Sequence, residues 1–204
     1  MFVKICGLST QEHVQAAVDA GADAVGFVFA DSVRRIDPAR AAAITNMVPD
    51  TIKKVAVMLH PANEEWQAVL HGFMPDVLQT DAGDFDNLDI PAGIECCPVI
   101  RDGNRVSGTY LFGDGNTVSG TYLYEGARSG VGETADWIAA AEVAKRGRMI
   151  LAGGLGVDNV GEAIRTVRPF GVDVSSGVET APGQKDSRLI RDFIKAAKAA
   201  GNSS

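Results

Sequence analysis

Two stretches carry residues whose types and spacing suit the binding of an anion. Leu151-Ala152-Gly153-Gly154-Leu155 and, about twenty residues on, Gly171-Val172-Asp173-Val174-Ser175-Ser176-Gly177 are short apolar runs that end in small residues before a helix-like segment. Two such ends side by side would turn backbone N–H groups toward a phosphate. A Gly-Gly pair also serves any turn that needs positive φ, so the phosphate reading rests on two ends spaced like consecutive strands of a parallel barrel. Cys6 closes a third apolar run, Val3-Lys4-Ile5-Cys6. It is either a small core residue or a thiol working at a ligand site. Arg34 and Arg35 are solvated charges or, facing the cradle, planar forks for a carboxylate.

The elements that must position these groups alternate along the chain. Strands are expected at Val3 to Cys6, Ala22 to Phe29, Lys54 to Leu59, Asp76 to Gln79, Cys96 to Ile100, Thr121 to Tyr124, Arg148 to Ala152 and Gly171 to Val174. Ser9-Thr10-Gln11-Glu12 has the form of a capping box for a helix running to Ala20, which Gly21 ends. Asp37-Pro38 opens a second helix, and Pro61 to Gly72 makes a third. Later helices are expected over Thr134 to Lys145 and Val157 to Val167. The last helix has Leu189, Ile190, Phe193, Ile194 and Ala197 on one face.

Residues 103–126 break the rhythm. Gly103-Asn104-Arg105-Val106-Ser107-Gly108-Thr109-Tyr110-Leu111 recurs twelve residues later as Gly115-Asn116-Thr117-Val118-Ser119-Gly120-Thr121-Tyr122-Leu123. The duplication predicts a hairpin or extended excursion where a helix was due.

With 204 residues, 46% hydrophobic, the chain is long enough for one sizeable core, and residues 1–204 are expected to form one domain. Eight strands alternating with helices predict a (β/α)₈ barrel with an irregular fifth connection. An open doubly wound sheet is disfavoured because the first turn lacks G-x-G-x-x-G. A formal net charge of −7 speaks against nucleic acid as a partner. The absence of a long apolar run or leader-like start predicts no membrane partner and a cytoplasmic location. Cys6, Cys96 and Cys97 suggest neither a disulfide framework nor a zinc site.

In a barrel of this kind the functional groups lie at the C-terminal strand ends. Those ends hold Cys6, Ser32 and Arg34, His60, Gln79 and Asp81, Arg101, Glu125, Gly153 and Gly154, and Ser175, Ser176 and Gly177. Strand parity adds a pair. Lys4 lies two residues before Cys6 on the same face, and strands one and eight are neighbours, so Lys4 can meet Asp173 inside the barrel. An inward lysine is costly unless paired, and the pair would place a cation beneath Cys6 that favours its thiolate.

Taken together, Lys4-Ile5-Cys6-Gly7, Gly21 through Phe29, Ser32-Val33-Arg34, Leu151 through Leu155, and Gly171 through Glu179 followed by Pro182-Gly183-Gln184-Lys185-Asp186 resemble phosphoribosylanthranilate isomerase. The resemblance implies a (β/α)₈ barrel that carries out an Amadori rearrangement in tryptophan biosynthesis without a cofactor, on a phosphorylated small molecule, as a monomer or homodimer. It places Cys6 as general base and Arg34 on the anthranilate carboxylate. Gly153, Gly154, Ser175, Ser176 and Gly177 would surround the phosphate. The family's acid is an aspartate, where this chain has Glu125. Asp81, in the Gln79-Thr80-Asp81-Ala82 stretch that replaces the family's Gln-Leu-His-Gly, is a second candidate acid, and Asp114 a third.

Two other functions compete. A metal-dependent sugar-phosphate epimerase would need clustered His and Asp ligands, and of His13, His60 and His71 only His60 lies near a strand end. A non-catalytic barrel that kept the phosphate cradle would bind ligand without turning it over.

Overall fold

The eight strands are runs of four to seven residues in which alternate side chains point to opposite faces. On one set of positions Val3, Ile5, Val25, Phe27, Leu78, Tyr122, Met149 and Val172 belong to a large buried layer shared with the helices. On the other, Ala24, Val55, Val77, Cys97, Leu123, Ile150 and Ala152 form a second, inner cluster. A parallel sheet apolar on both faces closes on itself beneath a ring of helices. The computed structural model, which describes residues 1–101, 120–126 and 136–202, shows that closure.

Strands β1 (Phe2–Cys6), β2 (Ala24–Val28), β3 (Lys53–Val57), β4 (Val77–Asp81), β5 (Glu95–Arg101), β6 (Thr121–Glu125), β7 (Arg148–Leu151) and β8 (Gly171–Val174) form a closed parallel barrel in sequence order. The seam pairs Lys4 with Asp173 and Ile5 with Val174. Six α-helices are present among the described residues: α1 (Gln11–Asp19), α2 (Pro38–Thr45), α3 (Asn63–Phe73), α4 (Trp137–Ala144), α5 (Val160–Val167) and α6 (Ser187–Gly201). None of them is long and apolar enough to cross a membrane. A two-stranded ribbon, β9 (Glu179–Ala181) with β10 (Gln184–Lys185), joins β8 to α6.

Local chemistry explains most of the boundaries. Asp37 accepts from the Arg40 N–H with Pro38 in the first turn, Asp136 from Ile138 and Ala139, and Asp186 from Arg188 and Leu189. The first helix departs from expectation in that Thr10, not Ser9, is its cap, accepting from the His13 N–H. The α5 helix starts at Val160 rather than Val157, because Asn159 is tied into the preceding turn. The fourth connection also breaks the alternation: Ala82–Asn87 is a 3₁₀ turn. Its sequence, Ala-Gly-Asp-Phe-Asp-Asn, offers only Phe85 for burial, too little for an amphipathic helix. The predicted excursion at 103–119, with Asp114, lies outside the described residues, as does the expected helix start at Thr134.

The buried Lys4 shapes its surroundings. A Cβ at position 26 would stand 3.1 Å from both Cε and Nζ of Lys4, so glycine at Gly26 leaves the lumen space that the side chain occupies. Lys4 Nζ donates to Asp173 Oδ1 at 2.9 Å, with side-chain exposures of 2% and 9%. The expected pair is therefore formed across the barrel seam.

Candidate active site

The C-terminal ends of the strands form a mouth with two walls. The first begins at Cys6. The chain turns at Gly7 with φ of +76°, and a Cβ there would lie 2.7 Å from Arg34 Cδ and 3.2 Å from Ser175 Oγ. Glycine thus lets the loops after β1, β2 and β8 meet. Arg34 donates from Nε and Nη2 to the two oxygens of Glu179 at 2.7 and 2.8 Å, a fork-to-fork pair. Lys185 Nζ, also buried, donates to Glu179 Oε1 at 2.7 Å, to the Ser175 carbonyl at 2.9 Å and to Ser175 Oγ at 3.1 Å. All three ammonium hydrogens are thereby used. Burial alone would raise the Glu179 carboxyl, but Arg34 and Lys185 outweigh it and hold it down to about 2.

Electrostatics at Cys6 divide. Burial raises the thiol above its ordinary value, while Lys4 and Lys185 pull it down and Asp173 pushes it up again. Lys4 favours the thiolate, as expected, but burial outweighs it and the net direction is upward. Lys4 itself would be lowered by burial, yet Asp173 and Cys6 carry it above its ordinary value. It is a fixed cation that moderates the cost of ionising Cys6.

The second wall is built on β3 to β6. Arg101 Nη1 donates to Asp81 Oδ1, and Arg101 Nε lies 3.3 Å from Glu125 Oε1. Register explains the contacts: Arg101 is level with Glu125, and Asp81 sits beside Val99 one strand over. His60 closes the group, with Nε2 3.3 Å from Asp81 Oδ2 and Nδ1 3.0 Å from Asp84 Oδ1. Thr80 donates to the other Asp84 oxygen at 2.5 Å.

The loops after β7 and β8 border, with α6, a cavity of about 430 Å³ lined in part by Gly154, Ser176, Gly177 and Asn159. Gly153 and Gly154 take φ of +91° and +63°. A Cβ on Gly177 would fall 1.9 Å from the Leu155 carbonyl oxygen, so the two loops touch through backbone. Asn159 locks the first loop, donating to the Gly154 carbonyl at 2.8 Å and accepting from the Gly156 N–H at 2.8 Å. Asp158 and Asp192 also line this cavity, so an anion would depend on oriented N–H groups rather than on net charge.

The structure thus brings Cys6, Arg34 and Ser175 together on one wall and Asp81, Arg101, His60 and Glu125 on the other. Gly154, Ser176 and Gly177 share the cavity, with Gly153 in the same turn. Ser175 is turned toward Lys185 rather than into the cavity. Sequence reasoning missed Glu179, Lys185, Asn159 and Asp84 as site residues. Glu179 and Lys185 stood in a stretch already singled out, but Glu179 meets Arg34 across 145 residues, which no local spacing reveals.

Comparison with known proteins decides the family. The model of N-(5'-phosphoribosyl)anthranilate isomerase matches residues 3–196. The chain belongs to the phosphoribosylanthranilate isomerase family. The N-(5'-phosphoribosyl)anthranilate isomerase of Listeria innocua is 38% identical over 98% of this chain and 100% of its own length. The phosphoribosyl anthranilate isomerase of Thermotoga maritima superposes with a TM-score of 0.81 at 32% identity, covering 98% of this chain and 99% of that one. Another isomerase structure, solved with reduced 1-(o-carboxyphenylamino)-1-deoxyribulose 5-phosphate, matches with a TM-score of 0.76 at 32% identity, covering 98% and 99%. As a phosphoribosylanthranilate isomerase family member the chain is an enzyme, an isomerase of tryptophan biosynthesis. That selects among the three functions the sequence left open, against the metal-dependent epimerase and the non-catalytic barrel.

Proposed function

We propose that this enzyme converts N-(5-phosphoribosyl)anthranilate into 1-(2-carboxyphenylamino)-1-deoxyribulose 5-phosphate with Cys6 as base and Glu125 as acid. The carboxylic acid of Glu125 gives its proton to the furanose ring oxygen as the C1–O bond breaks and the anthranilate nitrogen forms a C1=N bond. Cys6 thiolate then removes the C2 proton, and the C–H electron pair moves to C1–C2 while the C1=N pair returns to nitrogen. The enol so formed becomes the ketone when C1 gains a proton and the C2 hydroxyl loses one. Atoms balance, since one proton enters at the ring oxygen and one leaves C2.

Arg34 offers its three remaining side-chain N–H groups to the anthranilate carboxylate, with Glu179 fixing the plane of the fork. The phosphate sits on N–H groups of Gly153, Gly154, Ser176 and Gly177, with Ser175 holding the loop through Lys185. Glu125 is preferred to Asp81 as acid because it ends β6, the place the family resemblance gives to the acid. Residues 1–204 act as one domain, in the cytoplasm, as a monomer or homodimer.

The observation that carries this assignment is Cys6, 7% exposed at the mouth end of β1 with two buried lysines acting on it. Loss of substrate fluorescence in wild type, Cys6→Ser and Glu125→Ala is the test. Turnover in wild type with a deficit of about a hundredfold or more in each variant is expected. Full activity in either variant would remove that residue from the mechanism.

A further inference from the structure

The loop after β8 carries two N–H groups of the proposed phosphate cradle, and one buried lysine grips that loop from behind. Lys185 lies opposite Glu179 in the β9–β10 ribbon, and its side chain is fully buried. Its Nζ donates to the Ser175 carbonyl at 2.9 Å, to Ser175 Oγ at 3.1 Å and to Glu179 Oε1 at 2.7 Å. Two of its three hydrogens thus go to a single serine. The ammonium is the firmer tie on that carbonyl, since the turn bond from the Val178 N–H to the same oxygen is 3.4 Å long.

The Ser175 carbonyl belongs to the same rigid unit as the next N–H. A trans peptide is planar, with its C=O and N–H pointing in opposite directions, and none of the described peptide bonds is cis. With the Ser175 oxygen drawn onto Lys185, the Ser176 N–H points away from Lys185. Ser176 and Gly177 line the cavity beside the β7 loop, whereas Lys185 stands outside it. Among the described residues no acceptor takes the N–H of Ser176 or of Gly177.

We propose that Lys185 is a positioning residue for the phosphate: by holding the Ser175 carbonyl it turns the Ser176 N–H toward the cavity. The inference rests on the phosphate assignment above and adds the residue that sets the direction of one of its donors. Asn159 does matching work on the other loop, where it ties the Gly154 carbonyl and the Gly156 N–H. The two loops are therefore set by different side chains, which makes the role of Lys185 separable.

Lys185 also acts through its charge. Burial raises the Cys6 thiol, and Lys185 is among the groups that lower it; a Cβ on Gly7 would lie 3.4 Å from its Nζ. Removing the ammonium therefore alters kcat and weakens a nearby anion by charge alone. The direction of one N–H has to be read residue by residue.

The experiment is a titration of ¹⁵N-labelled protein with inorganic phosphate, following the backbone amides of Gly154, Ser176 and Gly177 in wild type and Lys185→Met. Methionine keeps the apolar stem, and Arg34 still pairs with both Glu179 oxygens, so no buried carboxylate is stranded. In wild type, saturation is expected to move the Ser176 amide proton downfield, as for an N–H that donates to an anion. In Lys185→Met that shift is expected to vanish at saturation while the Gly154 shift remains, with phosphate bound about tenfold more weakly. A Ser176 shift retained in Lys185→Met overturns the inference whatever happens to Kd. So does a wild-type titration in which Gly154 and Gly177 respond and Ser176 does not, a readout that needs no variant. Equal loss of the Gly154 and Ser176 shifts in Lys185→Met makes Lys185 a general support of the mouth and overturns it too. No response from any of the three amides in wild type removes the phosphate assignment and the inference with it.

Discussion

The two walls of the barrel mouth are held by the same kinds of group in different ways. On the Cys6 wall, Arg34, Glu179 and Lys185 are joined in one ion-pair network, with side-chain exposures of 12%, 3% and 0%. On the Glu125 wall, His60 is 66% exposed, and Arg101 divides its contacts between two carboxylates. A buried ion-pair network fixes geometry, because removing one member strands another. A network with an exposed member is less constrained. On the proposed assignment the binding groups are the rigid ones and the proton donor the adjustable one.

The largest expected effect falls at Cys6. Cys6→Ala should lower kcat by about a thousandfold, within the range for loss of a general base, with KM nearly unchanged in steady-state assays. A loss confined to KM would make Cys6 a packing residue only. Next comes the Lys4–Asp173 pair beneath it. Asp173→Asn leaves a buried ammonium without its anion and should cost about 3–5 kcal/mol in urea unfolding, whereas Lys4→Met with Asp173→Leu should cost much less. Equal losses for the single and double variants would show that the pair's charge is not what matters.

The Glu179 carboxylate gives the Cys6 wall a pH signature. Its folded value of about 2 lies below the ordinary 4.5. Its contribution to stability is therefore complete above 4.5 and lost as pH falls from there to about 2. Glu179→Gln should flatten the stability curve across that window, and an unchanged acid slope would contradict the assignment. The smallest effect is expected on the other wall. The hydrogen bond to Asp84 raises His60 against a small opposing effect of burial, and its contribution is present below 6.5 and fades as pH rises through the folded value. Being exposed, it should amount to no more than about 0.5 kcal/mol. His60→Gln would reveal it as a lost step in stability near neutral pH.

Much of this was legible in the sequence because the barrel repeats a simple pattern. Alternating apolar runs located all eight strands, and parity alone predicted that Lys4 would meet Asp173. The family resemblance pointed to Cys6, Arg34 and Glu125, and all three lie at the barrel mouth. Contacts between distant residues were not legible. Glu179 reaches Arg34 where Gly7 leaves room for the loops after β1, β2 and β8 to meet, and that closeness leaves no local mark beyond the glycine itself. The 3₁₀ turn after β4 escaped for the opposite reason, since regular alternation argued for a helix that its six residues could not build.

The difference between the walls is tested most directly by steady-state kinetics of Glu179→Gln beside Glu125→Gln. The account predicts that Glu179→Gln raises KM about tenfold with kcat little changed, because Arg34 loses its support. It predicts that Glu125→Gln lowers kcat by about a hundredfold or more at nearly constant KM. A kcat loss from Glu179→Gln matching that from Glu125→Gln would contradict the separation of a fixed binding wall from an adjustable acid wall.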